Sequence, residues 1–288
     1  MPDSPFNNQR IVLVGGTGML GRAWRELLSH HGIGYDAPPR GELDLTAPRS
    51  IHEAITPGTA AVINCGAFTD VDGCEARPTE AILANAVGPG NLAQRCAAIG
   101  GLLVHYSTDY VFSGRASEPY AASAPRDPVN VYGQSKALGE ARVEEAGGEH
   151  LIIRTSWLYA PWGRNFVRTM ARLCQEKPAL NVVDDQRGRP TSAEHLARAT
   201  LELIGHRTRG IHHVTDGGEC TWCELTRQIA ARLNPDCAVS PCTTEAFPRP
   251  ARRPAYSVLD VSDTERVIGA MPHWRDNLAS VLDRLEEA

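Results

Sequence analysis

The stretch "NVYGQSKALGE" places Tyr132 and Lys136 four residues apart. If a helix begins near Val131, that spacing puts phenol and ammonium on one face. A phenol with a pKa near 10 is a poor proton donor at neutral pH, and a nearby ammonium lowers that value by stabilising the phenolate. Lowering it by ~2–3 units corresponds to ~3–4 kcal/mol of differential interaction. Lys136 and Lys177 are the only lysines in the chain; every other basic side chain of this kind is arginine. Lys136 therefore marks a place that wants a compact charge with three rotatable donors rather than a flat guanidinium fork. Taken alone, the Tyr-x-x-x-Lys spacing can also be coincidence.

Two further groups stand in a fixed order before this pair. In "GGTGMLG", Gly15, Gly18 and Gly21 form G-x-x-G-x-x-G, with Gly16 beside them and Thr17, Met19 and Leu20 between. Such glycines permit a tight turn and close approach of the backbone to a pyrophosphate at a helix N-terminus. In "YSTDYVF", Thr108 ends an apolar strand, where doubly wound sheets bind ligands, and its hydroxyl could hold a carbonyl oxygen. By itself Thr108 reads better as a plain strand-end threonine or a helix cap. For the cofactor's ribose, Asp36 has roughly the spacing of an NAD-binding acid, but the strand is expected to end nearer Pro39 and Arg40. Arg40 could pair with a 2′-phosphate, which favours NADPH while leaving NADH open; a solvated loop arginine is the other reading. Asp44 and Leu45 would lie near the adenine.

Positioning these groups requires alternating strands and helices. "RIVLVGG", "AAVINCG", "GLLVHYSTD" and "HLIIRTSW" read as short buried strands. "MLGRAWRELLSHHG" and "TEAILANAVGPGNLAQRCAAIG" read as helical. That alternation predicts an α/β fold, a Rossmann-type doubly wound parallel sheet. The second half is less regular: helices at "NFVRTMARLCQEK" and "SAEHLARATLELIGH", strands at "LNVVDDQ" and "GIHHVT", a helix over 225–233, then the Pro- and Arg-rich "PRPARRPAYS". We expect a nucleotide-binding domain over 1–160, joined by returning segments of the second half, and a smaller, mainly substrate-binding lobe over 161–288.

Composition excludes several classes. A net charge of −5 gives no basic footprint for nucleic acid. No apolar run approaches the ~20 residues that span a bilayer. The start, "MPDSPFNNQR", is polar and lacks the apolar region of an export signal. The eight cysteines are too few for a disulfide scaffold and are expected to be reduced thiols in a cytoplasmic protein. "HHVTDGGECTWC" sets His212 and His213 near Cys220 and Cys223, which suggests zinc or redox chemistry. Adjacent histidines on a strand point to opposite faces, however, and no second C-x-x-C exists. We expect no metal there.

These motifs, with "VINCGAFTDVDGCE", "RTSWLY", "NFV", "DQRGRPT" and "RRPAYSVLD", make the chain resemble the extended short-chain dehydrogenase/reductases. Within them it is most similar to the dTDP-4-dehydrorhamnose reductase family, from about residue 11 to residue 260. The resemblance implies that Thr108 orients a sugar C4 carbonyl, Tyr132 protonates it, and Lys136 lowers the phenol's pKa and binds the nicotinamide ribose. It implies that Asn64, Cys65 and Ala67 touch the cofactor, that Asp70 and Asp72 shape the adjoining loop, and that Thr69, Asp70 and Val71 border the substrate. Asp109, Tyr110 and Trp157 would wall the sugar pocket, and Arg252 or Arg253 would meet the diphosphate of a dTDP-linked 4-keto-6-deoxy sugar. Ala23 stands where some members place a glutamate for a Mg²⁺-linked dimer, so a monomer or a metal-independent homodimer is expected. Tyr110 stands where the related dehydratases carry a catalytic glutamate. A reductase of another nucleotide-linked keto sugar, or an NADP-binding regulatory subunit like that of methionine adenosyltransferase, are the alternative readings.

Overall fold

In the computed structural model, which describes residue 6 and residues 9–286, the core is a parallel sheet of five strands. The expectation about the polar start of the chain falls mostly outside the described residues. The first half runs β1 (Arg10–Val14), α1 (Met19–His30), α2 (Pro48–Ala54), β2 (Thr59–Asn64), α3 (Val71–Ala76), α4 (Pro78–Ile82), a π-turn (Leu83–Val87), α5 (Gly88–Ile99) and β3 (Leu102–Thr108). A 3-10 turn (Asp109–Val111), α6 (Val131–Glu145) and β4 (His150–Thr155) follow. The sheet order is β1-β2-β3-β4-β9, all parallel. Its middle strands are buried on both faces, which is why they read as unbroken apolar runs.

The second half adds β5 (Leu158–Tyr159), α7 (Phe166–Glu176), β6 (Ala179–Val183), β7 (Arg187–Gly188), β8 (Thr191–Ser192), α8 (Ala193–Gly205) and β9 (Gly210–His213). It closes with β10 (Cys220–Thr221), α9 (Trp222–Leu233), β11 (Ala238–Cys242), α10 (Ser262–Ile268) and α11 (Trp274–Glu286). β9 and α8 return to the first-half sheet: β9 pairs with β4, and Leu196, Ala197 and Leu203 of α8 share one core with Leu20, Trp24 and Leu28 of α1. On the other face Ile51, Leu92 and Val143 form a second core. A third core joins α7, α9 and α11 through Val167, Ile229, Trp274 and Leu278. Among the described residues no helix is long and apolar enough to cross a membrane. All eight cysteines are unbonded thiols.

Two boundaries differ from the sequence reading. α9 begins at Trp222, not Leu225, because Thr221 and Glu224 form a reciprocal capping box at its start. The strand expected to reach Pro39 is a single bridging residue, Asp36, paired with β1 on the flank away from β2. Pro38 and Pro39 follow it without an N–H to offer, so pairing stops there. The chain then crosses back over β1 to reach β2, and the crevice between the ends of β1 and β2 is the switch point where such sheets bind ligands.

Candidate active site

At that crevice the backbone is shaped for close approach. Gly15 has φ 73°, and a Cβ there would lie 2.8 Å from the Gly66 nitrogen; a Cβ on Gly21 would overlap the Gly15 carbonyl. The N-cap of α1, Gly18, makes no side-chain cap, and no acid occupies the first turn. The first N–H groups of α1 are thus uncapped by side chains at the positive end of the helix dipole. This cradle fits a dinucleotide pyrophosphate. Thr17 and Gly18 are exposed at its rim and Met19 is half-buried, while the Leu20 side chain belongs to the core.

The opposite lip is the chain after β2. Asn64 Oδ1 accepts from the Gly66 N–H at 3.1 Å, Cys65 is half-buried with its thiol pushed up by burial, and Ala67 is exposed. Leu45 packs beside Gly66 and Gly88. Asp44 accepts from the Thr46 N–H and hydroxyl, which hold its carboxyl low, and lies 3.7 Å from the exposed guanidinium of Arg40. Asp36 is not at this lip: Arg10, at the far end of β1 from the glycines, holds its carboxylate at 2.6 Å.

The candidate reacting groups meet where β3 ends against α6. Asn130 caps α6 by accepting from the Gly133 N–H at 2.8 Å, and Glu75 accepts from the Val131 N–H at 2.9 Å. Tyr132 therefore sits in a doubly tied first turn, its ring edge-on to Tyr110 at 5.8 Å. Burial pushes the Tyr132 phenol well up; the Thr108 hydroxyl counters, and the Asp109 charge adds to the rise. Lys136 is 2 % exposed and its Nζ donates to the Tyr106 carbonyl at 2.6 Å. Burial lowers its pKa to about 8, opposed by Glu140.

The expected lowering of the phenol by Lys136 does not appear. The ammonium is turned toward the Tyr106 carbonyl and His105, and the phenol is dominated by its own desolvation. A phenol held high keeps its proton at neutral pH, which is the state a proton donor needs.

A cleft of about 1320 Å³ lies beside this point, lined among others by Asp72, Tyr110, Phe166, Trp222, Arg249 and Arg252. Trp157 adopts φ 46°, unusual for a non-glycine residue, and stacks on Trp222 with centroids 3.5 Å apart. Trp222 is fixed in turn by its indole N–H on Gln186 Oε1 at 3.1 Å. Arg252 is exposed and lines the cleft, and its backbone carbonyl accepts from Asn130 Nδ2. Arg253 also lines it but is paired with Asp72 at 2.8 Å. Thr69 is exposed, Asp70 caps α3 through the Gly73 N–H, and Val71 opens that helix. Asp109 is 2 % exposed and lies against Thr108.

Three residues that tie the site together escaped the sequence reading. Asn85, in the π-turn, accepts from the Phe68 N–H at 2.8 Å and donates to the Phe68 carbonyl and the Ser135 hydroxyl, joining the loop after β2 to α6. π-turns inside helices often mark functional sites. His105 stands between Asn64 and Lys136. The Gly66 N–H on Asn64 Oδ1 orients the amide so that Nδ2 donates to His105 Nδ1 at 3.1 Å. His105 Nε2 lies 3.5 Å from Lys136 Nζ. Burial, then Lys136, push the imidazole well below its usual value, so it is neutral. Glu140, one turn beyond Lys136, accepts from Arg154 Nε and Nη2 at 2.9 and 2.7 Å and from Arg126 Nε at 2.6 Å.

The cysteine and histidine stretch has another occupation. His213 Nδ1 faces the Asp260 carbonyl at 3.0 Å and Nε2 lies 3.4 Å from Arg154 Nη1. Cys220 and Cys223 are buried, and among the described residues no group of His, Cys, Asp or Glu is arranged to hold a metal.

Comparison with known proteins agrees with this geometry. A family model described as "RmlD substrate binding domain" matches residues 9–287. A dTDP-4-dehydrorhamnose reductase from Streptomyces griseus is 40% identical over 281 residues, covering 94% of this chain and 92% of the relative. A dTDP-4-keto-6-deoxy-D-glucose reductase from Streptomyces niveus is 37% identical over 283 residues, covering 96% of this chain and 97% of the relative. The crystal structure of dTDP-4-dehydrorhamnose reductase from Bacillus anthracis in complex with NADP superposes with a TM-score of 0.91 at 34% identity, covering 96% of this chain and 99% of that one. By its sequence and its fold alike, the chain belongs to the RmlD substrate-binding-domain family, the family of the dTDP-4-dehydrorhamnose reductases.

Proposed function

We propose that this chain uses NADPH to reduce the C4 keto group of dTDP-4-dehydro-L-rhamnose, giving dTDP-L-rhamnose. The observation that carries the reading is the meeting of Thr108, Tyr132 and Lys136 where β3 ends against α6, with Tyr132 against Tyr110, a residue of the cleft wall. Gly15, Gly18 and Gly21 would hold the pyrophosphate, and Arg40 the 2′-phosphate, since Asp36 is drawn off by Arg10. NADPH, when bound, supplies the hydride. Tyr132 gives its phenolic proton to the C4 oxygen as negative charge develops there, an effect of typically 10²–10⁴-fold. Thr108 orients the carbonyl from the strand end. Lys136 presents a compact ammonium whose second role is the nicotinamide ribose. Trp157 and Tyr110 would bound the sugar, and Arg252 the diphosphate.

A reductase of another dTDP-linked 4-keto sugar is the second reading, favoured by the relative from Streptomyces niveus that acts on dTDP-4-keto-6-deoxy-D-glucose. NADPH consumption with each of the two sugars, with products identified, separates them: the larger kcat/KM names the substrate. No turnover with either would leave a cofactor-binding regulatory role instead.

A further inference from the structure

Asp109 immediately follows Thr108 and is almost fully buried, 2 % exposed. Beside the Tyr132 phenol, the Thr108 hydroxyl makes two hydrogen bonds within its own turn: it accepts from the Tyr110 N–H at 3.2 Å and donates to Asp109 Oδ1 at 3.0 Å. A hydroxyl has one proton and two lone pairs. While Asp109 is a carboxylate, the Thr108 proton is committed to it, because a charge-assisted hydrogen bond outcompetes one to a neutral carbonyl. Thr108 then has nothing to donate to a sugar C4 oxygen. When Asp109 is a neutral acid, its own O–H donates to the second lone pair of Thr108 Oγ1, and the threonine proton is free to point into the pocket.

We propose that Asp109 is a positioning residue whose protonation decides whether Thr108 can donate a hydrogen bond to the substrate carbonyl, the neutral acid being the working form. The inference rests on the ketoreductase reading above. The surroundings favour the neutral form. Asp109 Oδ2 is buried without a hydrogen-bond partner, and among the described residues no basic side chain forms an ion pair with Asp109. Burial pushes the carboxyl up to about 7, outweighing the Ser257 and Thr108 hydroxyls and the backbone N–H groups of Asp109 and Tyr110, which favour its charged form. The titratable groups around it are Tyr132 of α6 and Tyr110 of its own turn, both of which its charge pushes up. From the returning C-terminal segment come the Ser257 hydroxyl and Arg253, and Arg253 is committed to Asp72 of α3. Also on α6, Lys136 is committed to the Tyr106 carbonyl. Ionisation of Asp109 therefore disables the site twice: it captures the Thr108 proton and makes the Tyr132 phenol a weaker acid.

The test is the pH profile of kcat/KM in Asp109→Asn beside the parent. An amide carries no charge, and its Nδ2–H can donate to Thr108 Oγ1 at every pH. A carboxyl titrating at about 7 and an ammonium at about 8 together predict that the parent falls about twentyfold from pH 6 to pH 8. The Asn variant should fall only about twofold, the share left by Lys136 at about 8. A variant that keeps the parent's fall overturns the proposal. A second measurement does not depend on turnover: carbon-13 titration of the aspartate carboxyls, with Asp109 assigned by its loss in Asp109→Asn. In Thr108→Val the Asp109 carboxyl should titrate about one unit higher, having lost a hydrogen bond to its charged form. An unmoved carboxyl refutes the coupling. A parent inactive on every 4-keto sugar defeats the ketoreductase reading, while the carboxyl titration still decides whether the two side chains are coupled.

Discussion

Glu140→Gln should destabilise the fold far more than an ordinary surface change, and should do so beneath the reacting pair. Glu140 is 0% exposed and Arg154 1% exposed, joined by two parallel hydrogen bonds of 2.9 and 2.7 Å. Arg126 adds a third contact at 2.6 Å, and Arg154 also donates to the Ala122 carbonyl. Glutamine keeps the shape but removes the charge and replaces one acceptor oxygen with a donor facing the guanidiniums. Arg154 is then a buried cation without its counter-charge, and breaking such a pair from one side costs about 3–5 kcal/mol. A domain with about 5–15 kcal/mol of total stability would lose a large fraction of it. Urea unfolding of both proteins, with m compared to check that both transitions are alike, measures the loss. Burial alone would raise the Glu140 carboxyl; the Arg154 hydrogen bonds and charge, with help from Ser107 and Arg126, outweigh it and hold the group below its usual value. A depressed carboxyl contributes stability above its unfolded pKa, and the contribution is lost as pH falls through the folded value. The difference between parent and variant should therefore be full near pH 7 and shrink in acid, below about 4. A loss under about 1 kcal/mol at pH 7, within the range of exposed ion pairs, would refute the reasoning.

Gly21→Ala should weaken NADPH binding by about 5–150-fold, the equivalent of about 1–3 kcal/mol of overpacking against the Gly15 carbonyl. Fluorescence titration reads it, and unchanged affinity would remove the pyrophosphate from this turn. Arg40→Ala should reduce the preference for NADPH over NADH by about 10–100-fold, the value of one charge-assisted hydrogen bond. Equal affinities for the two cofactors in the parent would contradict the assignment of Arg40 outright. Lys136→Arg should lose most turnover despite keeping the charge, because the planar fork cannot occupy the buried position of Nζ against the Tyr106 carbonyl; parent-like kcat would show that charge alone suffices there.

The β1–glycine–α1 unit and the α6 face bearing Tyr132 and Lys136 were legible because their signals are local: a buried run, a glycine spacing and a four-residue repeat. The strand beyond α1 was harder to place, since Asp36 pairs for a single residue before two prolines stop it. The start of α9 was set by a side-chain cap, which apolar periodicity does not register. Asn85 sits in a π-turn that looks like ordinary helix in sequence. The links from His105 to Asn64 and from Glu140 to Arg154 join residues far apart in the chain. No spacing rule reaches such contacts. The direction of Lys136 Nζ is of the same kind: its position on α6 follows from sequence, but the carbonyl that captures it belongs to β3.

The central claim is that Tyr132 supplies the proton, and Tyr132→Phe tests it most directly. Phenylalanine keeps the ring against Tyr110 and removes only the hydroxyl. NADPH affinity, measured by fluorescence titration, should stay near the parent's. Turnover of dTDP-4-dehydro-L-rhamnose, followed as NADPH consumption with dTDP-L-rhamnose identified as product, should fall about 10²–10⁴-fold, or roughly 3–5 kcal/mol of barrier. The loss should fall on kcat, because the proton is needed only as the alkoxide develops. A variant that reduces the sugar within about threefold of the parent rate, far short of a general-acid effect, would contradict the account.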